Sequence, residues 1–218
     1  MTVCHHPADD LLLSYAAGAL AESWSLAVAA HLSHCPACRR SMDLAENVGA
    51  ALLQGEHTAE MSGDALDRVF SEIDTVSQDP IIETATVPEE SSILPQPLRD
   101  YVGDDIDNLP WQRLGNDAAQ FLIETSDNEA QARLLRIKAG KPVPSHGHGG
   151  RELTLVLSGS FHDEISEFGP GDLEDVAEET VHKPVAGRGE DCLCLAVTDA
   201  PLKFNEFLPR LLQPLFKI

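Results

Sequence analysis

His31-Leu-Ser-His34-Cys35-Pro-Ala-Cys38 sets three ligand-type side chains at one helix end and in the turn that follows it. His31 and Cys35 are four residues apart and share a helical face, while Cys35-x-x-Cys38 is the spacing with which a tight turn brings two thiolates to one tetrahedral ion. A fourth ligand has to come from elsewhere. His6 completes a pattern His6-x24-His31-x3-Cys35-x2-Cys38, with Cys4 and His5 as its rivals. A redox Cys-x-x-Cys would need a βαβ context that the flanking residues lack, so the cluster reads as a zinc site.

Working outward, helical periodicity predicts three short helices around this knuckle. Residues 7–17 carry Leu12, Tyr15 and Ala16, with Pro7 suited to a first turn and Gly18 to a stop. Residues 22–34 carry a stripe of Trp24, Ala27, Val28 and His31, and residues 36–53 one of Met42, Ala45, Val48 and Leu52. Three small helices bury little surface. In a domain of about 75 residues a structural zinc, contributing on the order of 10 kcal/mol, is a folding element first. A fourth helix follows, in which Leu66, Val69, Phe70 and Ile73 repeat at i, i+3, i+4 and i+7. That stripe either packs on the other helices or is offered to a partner's groove, and periodicity alone does not separate the two.

Fifteen basic against 36 acidic residues leave the 218-residue chain with a formal charge of -21. Such a balance disfavours nucleic acid and anionic membranes as partners and suits a basic protein. Residues 1–74 hold only Arg39, Arg40 and Arg68 as basic side chains, which makes a nucleic-acid-binding zinc finger improbable. There is no basic, apolar leader at the start and no run of about 18 apolar residues, so a cytoplasmic protein with no membrane partner is expected.

The expected organisation is a helical zinc domain over residues 1–78, an acidic linker rich in proline over 79–99, and a second domain over 100–218. In the last, short β-type runs at 121–124, 132–137, 152–157 and 192–197 alternate with Gly, Pro and Asp turns and predict an antiparallel barrel or sandwich. The fold class is therefore α + β in two domains. At the centre of the second lies Gly140-x5-His146-x-His148-x3-Glu152-x6-Gly159. His146 and His148 point to one face of an extended strand, Glu152 re-enters the same cavity after a Gly-Gly turn, and His182 completes a three-His, one-carboxylate set. Such ligands suit Zn, Fe, Mn or Ni.

Cys192 and Cys194 share one face of a predicted strand and cannot form an unstrained disulfide there. They are either ordinary core or oxidation-sensitive thiols beside the cavity. The closing segment, with Phe204, Phe207, Leu208, Leu211, Leu212, Leu215 and Phe216, is interrupted by Pro209 and Pro214 and is expected to dock on the barrel in short pieces.

The stretch from Gly140 to Gly159 is similar to the first cupin motif at every defined position. Gly171 and His182 stand at the spacing of the second motif, whose Pro, Gly and Asn positions are held here by Ala177, Glu179 and Ala186. With the His/Cys module ahead of it, the chain resembles the ChrR family of zinc-dependent anti-sigma factors. Landmarks of that likeness are His6, residues 31–38, Asp100-Tyr-Val-Gly103, the cupin stretch, Asp191-Cys-x-Cys-Leu195 and Phe204-Asn-x-Phe-Leu-Pro-Arg210. The resemblance implies that the N-terminal module binds an extracytoplasmic-function sigma factor in a 1:1 complex, with no catalysis. It also implies a cupin that holds a second metal, expected to be zinc, and responds to singlet oxygen or related oxidants. The competing expectation is a metal-dependent cupin enzyme, a dioxygenase or isomerase. The proline-rich linker predicts that the two halves act as separate modules.

Overall fold

The computed structural model describes residues 2–56, 58–75, 93–126, 129–178 and 180–204. Among these residues five α-helices come first: α1 (Asp9–Ala16), α2 (Glu22–His34), α3 (Pro36–Gln54), α4 (Ala65–Thr75) and α5 (Gln96–Val102). The predicted stop after α1 is met by Gly18, in the left-handed region at φ +66°, whose N–H returns to the Tyr15 carbonyl. Pro36 occupies the first turn of α3, and the Cys35 sulfur caps that helix by accepting from the Cys38 N–H at 3.3 Å.

Twelve strands follow: β1 (Gln112–Leu114), β2 (Ala118–Ile123), β3 (Gln131–Ile137), β4 (His146–Gly147), β5 (Glu152–Ser158), β6 (Phe161–His162), β7 (Glu167–Phe168), β8 (Leu173–Val176), β9 (Val181–His182), β10 (Val185–Ala186), β11 (Cys192–Thr198) and β12 (Lys203–Phe204). Six form one antiparallel sheet in the order β1-β2-β3-β11-β5-β8, and two three-stranded sheets, β10-β6-β7 and β12-β4-β9, complete the antiparallel architecture. The predicted α + β fold is what is observed.

Both faces of the large sheet are buried at its strands β5 and β11. Its inner side carries Glu152, Thr154, Val156, Cys192 and Cys194. The alternate residues, Leu153, Leu155, Leu193, Leu195 and Val197, belong instead to one apolar cluster with Leu11, Leu26, Ala27, Ala30 and Met42 of the helices and with Leu98. Every residue of β11 is buried as a result. The expected separation into independent modules therefore gives way to a shared core: α2 lies on the outer face of the sheet, with Ala27 and Ala30 completely enclosed there. The stripe predicted for residues 22–34 is only part of what α2 buries: Ser23, Leu26 and Ala30 are enclosed along with Ala27, Val28 and His31, because the helix is covered both by its helical neighbours and by the sheet.

The predicted linker ends earlier than expected. Residues 79–92 lie outside the described residues, but Leu94 and Leu98 are buried in the shared core, and α5 begins at Gln96 and packs against α2. Apolar side chains before and within α5 gain burial that a solvated linker would forgo. In α3 only Cys38 and Met42 are buried, so the expected stripe packs over the first turns alone, leaving Val48 and Leu52 exposed. Of the closing segment, Phe204 pairs with His146 between β12 and β4, and the remainder lies outside the described residues. No helix among the described residues is long and apolar enough to cross a membrane.

Candidate metal centres

The first centre forms where the extended N-terminal residues pass the α2–α3 junction. His6 Nδ1 stands 3.4 Å from both the Cys35 and Cys38 sulfurs, and His31 Nε2 stands 3.3 Å from the Cys38 sulfur. One ligand atom from each of the four residues lies within 4.8 Å of all the others. Zn–S bonds of about 2.3 Å and Zn–N bonds of about 2.0 Å at tetrahedral angles put N and S about 3.5 Å apart, so the four atoms fit that ion.

The protonation chemistry agrees with the fit. Burial pushes the His31 imidazole down to about 4, leaving it neutral, and its Nδ1–H donates to the Gly171 carbonyl at 2.9 Å, which turns the Nε2 lone pair towards the sulfurs. Burial, then the adjacent Cys35 thiol, push the Cys38 thiol up to about 12, so it ionises readily only against a cation. The two rivals for the fourth position are engaged elsewhere. The Cys4 sulfur is exposed and contacts the Thr2 carbonyl, while the His5 ring lies against Phe168 with its Nε2 2.9 Å from Ser166 Oγ.

The second centre is inside the barrel. His146 and His182 are register partners across β4 and β9, and His148 follows β4. Their three Nε2 atoms converge, with His182 at 3.2 Å from each of the others, and none of the three residues is more than 3% exposed. Each Nδ1 points away from that meeting point towards an oxygen. His146 donates to the Pro144 carbonyl at 2.8 Å, His148 faces Glu152 Oε2 at 3.3 Å, and His182 meets Asp163 Oδ2 at 3.0 Å and Glu174 Oε1 at 3.3 Å. Imidazoles fixed through Nδ1 with Nε2 turned to a common point are the arrangement of metal-ligating histidines and their supporting groups.

Sequence reasoning placed Glu152 in this set as a fourth ligand. The structure gathers the three histidines and puts the Glu152 carboxylate behind His148, where it also accepts from Thr154 Oγ1 at 3.0 Å. Burial opposes its charge, yet the facing His148 and nearby His146 outweigh this and hold the carboxyl below its ordinary range. Asp163 and Glu174 were missed because no spacing in the chain ties them to the motif. The inward-outward alternation of β8 is the signal that marks Glu174. Burial pushes Glu174 up to about 7, whereas Glu174 and Asp163 overcome the burial of His182 and raise it to about 9.

Cys192 and Cys194 are buried on the inner face of β11, and the mutual contact of the thiols, then burial, keep Cys194 protonated. The fourth-helix residues Leu66, Val69, Phe70 and Ile73 are brought together on α4, from 52% to 64% exposed, and no residue of that helix is buried.

Comparison with known proteins places this geometry. Residues 100–201 match the family model of the ChrR cupin-like domain. The anti-sigma-E factor ChrR of Cereibacter sphaeroides is 46% identical over 218 residues, which cover 100% of both chains. A solved structure of Rhodobacter sphaeroides SigE in complex with the anti-sigma ChrR matches with a TM-score of 0.79 and 42% identity, covering 91% of this chain and 100% of that one. With a His/Cys cluster, a cupin barrel and a likeness that runs from end to end, the chain belongs to the ChrR family of anti-sigma factors.

Proposed function

We propose that the protein sequesters an extracytoplasmic-function sigma factor in a 1:1 complex through its helical module, residues 1–78, and keeps it from RNA polymerase. The observation that carries this is α4. Leu66, Val69, Phe70 and Ile73 form an apolar stripe left more than half exposed among the described residues, and on α3 Leu44, Val48 and Leu52 form a second exposed one. Two exposed apolar faces on an acidic module suit a partner that is apolar where it docks and basic around the contact.

In this reading zinc on His6, His31, Cys35 and Cys38 holds α2 and α3 at their angle, and its role is structural. The cupin, residues 100–218, takes a second zinc on His146, His148 and His182, with Glu152, Asp163 and Glu174 fixing the rings. It is the part through which singlet oxygen or a related oxidant releases the sigma factor. The protein acts by occlusion rather than as an enzyme, a reading supported by the near-complete enclosure of the three histidines.

Co-expression with a sigma factor of this class tests the proposal. The wild-type chain is expected to co-purify with it at 1:1. Phe70→Glu, on a side chain 57% exposed, is expected to weaken binding by about 100-fold without lowering the thermal midpoint. Binding as tight as wild type by this variant would refute the assignment of α4.

A further inference from the structure

Two of the four ligands in the His/Cys centre are braced by the barrel as well as by the helical module. The Nδ1–H of His31 is received by the carbonyl of Gly171, in the turn between β7 and β8. That turn is pressed against the helical module. Gly171 sits at φ +89°, and a Cβ there would stand 2.8 Å from Val3 Cγ2 and 3.0 Å from His34 Cβ. The next residue, Asp172, is buried. Its Oδ1 accepts from the backbone N–H groups of Cys4 at 2.7 Å and His5 at 2.9 Å, and its Oδ2 accepts from Gly169 at 2.9 Å. The Leu173 N–H donates to the His5 carbonyl at 3.2 Å. Residues 4 and 5 are thus clamped to the barrel immediately before His6.

We propose that the Gly171–Asp172 turn of the cupin is an outer support of the helical module's metal centre, so that barrel docking sets how tightly the ion is held. The inference deepens the zinc reading above and rests on it. Gly171 fixes the tautomer of His31, and Asp172 fixes the chain position from which His6 reaches the sulfurs. Supporting groups of this kind typically contribute 10–100-fold to metal affinity. The coupling is reciprocal: whatever loosens the turn loosens the ion, and loss of the ion loosens the docking by the same factor.

The test uses the full chain loaded with Co(II). A thiolate-to-cobalt charge-transfer band reports the centre with cysteine ligands and is silent for the all-histidine cluster in the barrel. Its decay is followed after addition of excess chelator. Asp172→Ala is expected to speed the decay by about 10–100-fold with the helical circular dichroism retained. Asp172→Asn preserves volume but sets an amide N–H against a backbone N–H. It is expected to speed the decay by about 10-fold, and it decides the matter if the alanine variant fails to fold. Wild-type decay rates in a folded Asp172 variant would overturn the proposal while leaving the zinc reading intact. Absence of the band in the wild-type chain would overturn both.

Discussion

His5 and His6 are neighbours in the chain but face opposite ways. Residues in extended backbone alternate sides, so when His5 lies on Phe168 and Ser166 of the barrel, His6 is delivered to the sulfurs of Cys35 and Cys38. His6→Ala is expected to lose the N-terminal ion and the fold that depends on it, and Cys38→Ala to behave alike. His5→Ala is expected to keep the ion. Metal content by mass spectrometry separates these outcomes: one equivalent fewer for the first two, none lost for the third. Spacing alone named His31, Cys35 and Cys38 as ligand candidates, because their geometry is local. It favoured His6 but kept Cys4 and His5 as rivals, because the choice among them is made by a barrel surface more than 150 residues away in the chain. Glu152 shows the same limit. Its position after the Gly-Gly turn was readable, but whether its carboxylate reaches the metal point or backs His148 depends on side-chain packing.

Among the elements, α2 and β11 repay comparison. Both were legible as helix and strand, α2 from its period and β11 from its run of branched and small apolar residues. What neither disclosed is that each covers the other. A strand buried on both faces reads as a continuous apolar run, and a helix buried on two sides encloses more residues than its one readable stripe, so periodicity does not disclose the second contact. Ala27 and Ala30 allow the close approach, being fully enclosed between helix and sheet. Ala27→Leu is expected to destabilise the protein by about 1–3 kcal/mol, because three added carbons must displace sheet or helix atoms. Thermal or urea unfolding of the full chain measures this. Leu44→Ala, on an exposed site of α3, is expected to change stability by no more than about 0.5 kcal/mol.

At the scale of the molecule, the helical module and the barrel share one core and several polar ties. Arg151 bridges Asp175 at 2.6 Å and Asp10 at 2.9 Å, joining β8 to α1. The Glu22 carboxylate reaches both Ser126 and Tyr101, and Ser23 donates to the Ala130 carbonyl at 3.0 Å. The metal-loaded chain is therefore expected to unfold in a single calorimetric transition, whereas two resolved endotherms would show the modules to be independent. The enclosed sheet has a further consequence, for synthesis. α2 ends at His34, and β11, on which it lies, begins at Cys192, roughly 160 residues later. At about 5–20 residues per second, α2 waits about 8–32 s for the strand that will cover it. Throughout that interval the nascent helices present the side meant for the barrel as well as the open faces of α3 and α4. On the function proposed above, a sigma factor made nearby would meet the module on the ribosome before the barrel does, and in that window the unfinished chain would also be open to chaperones.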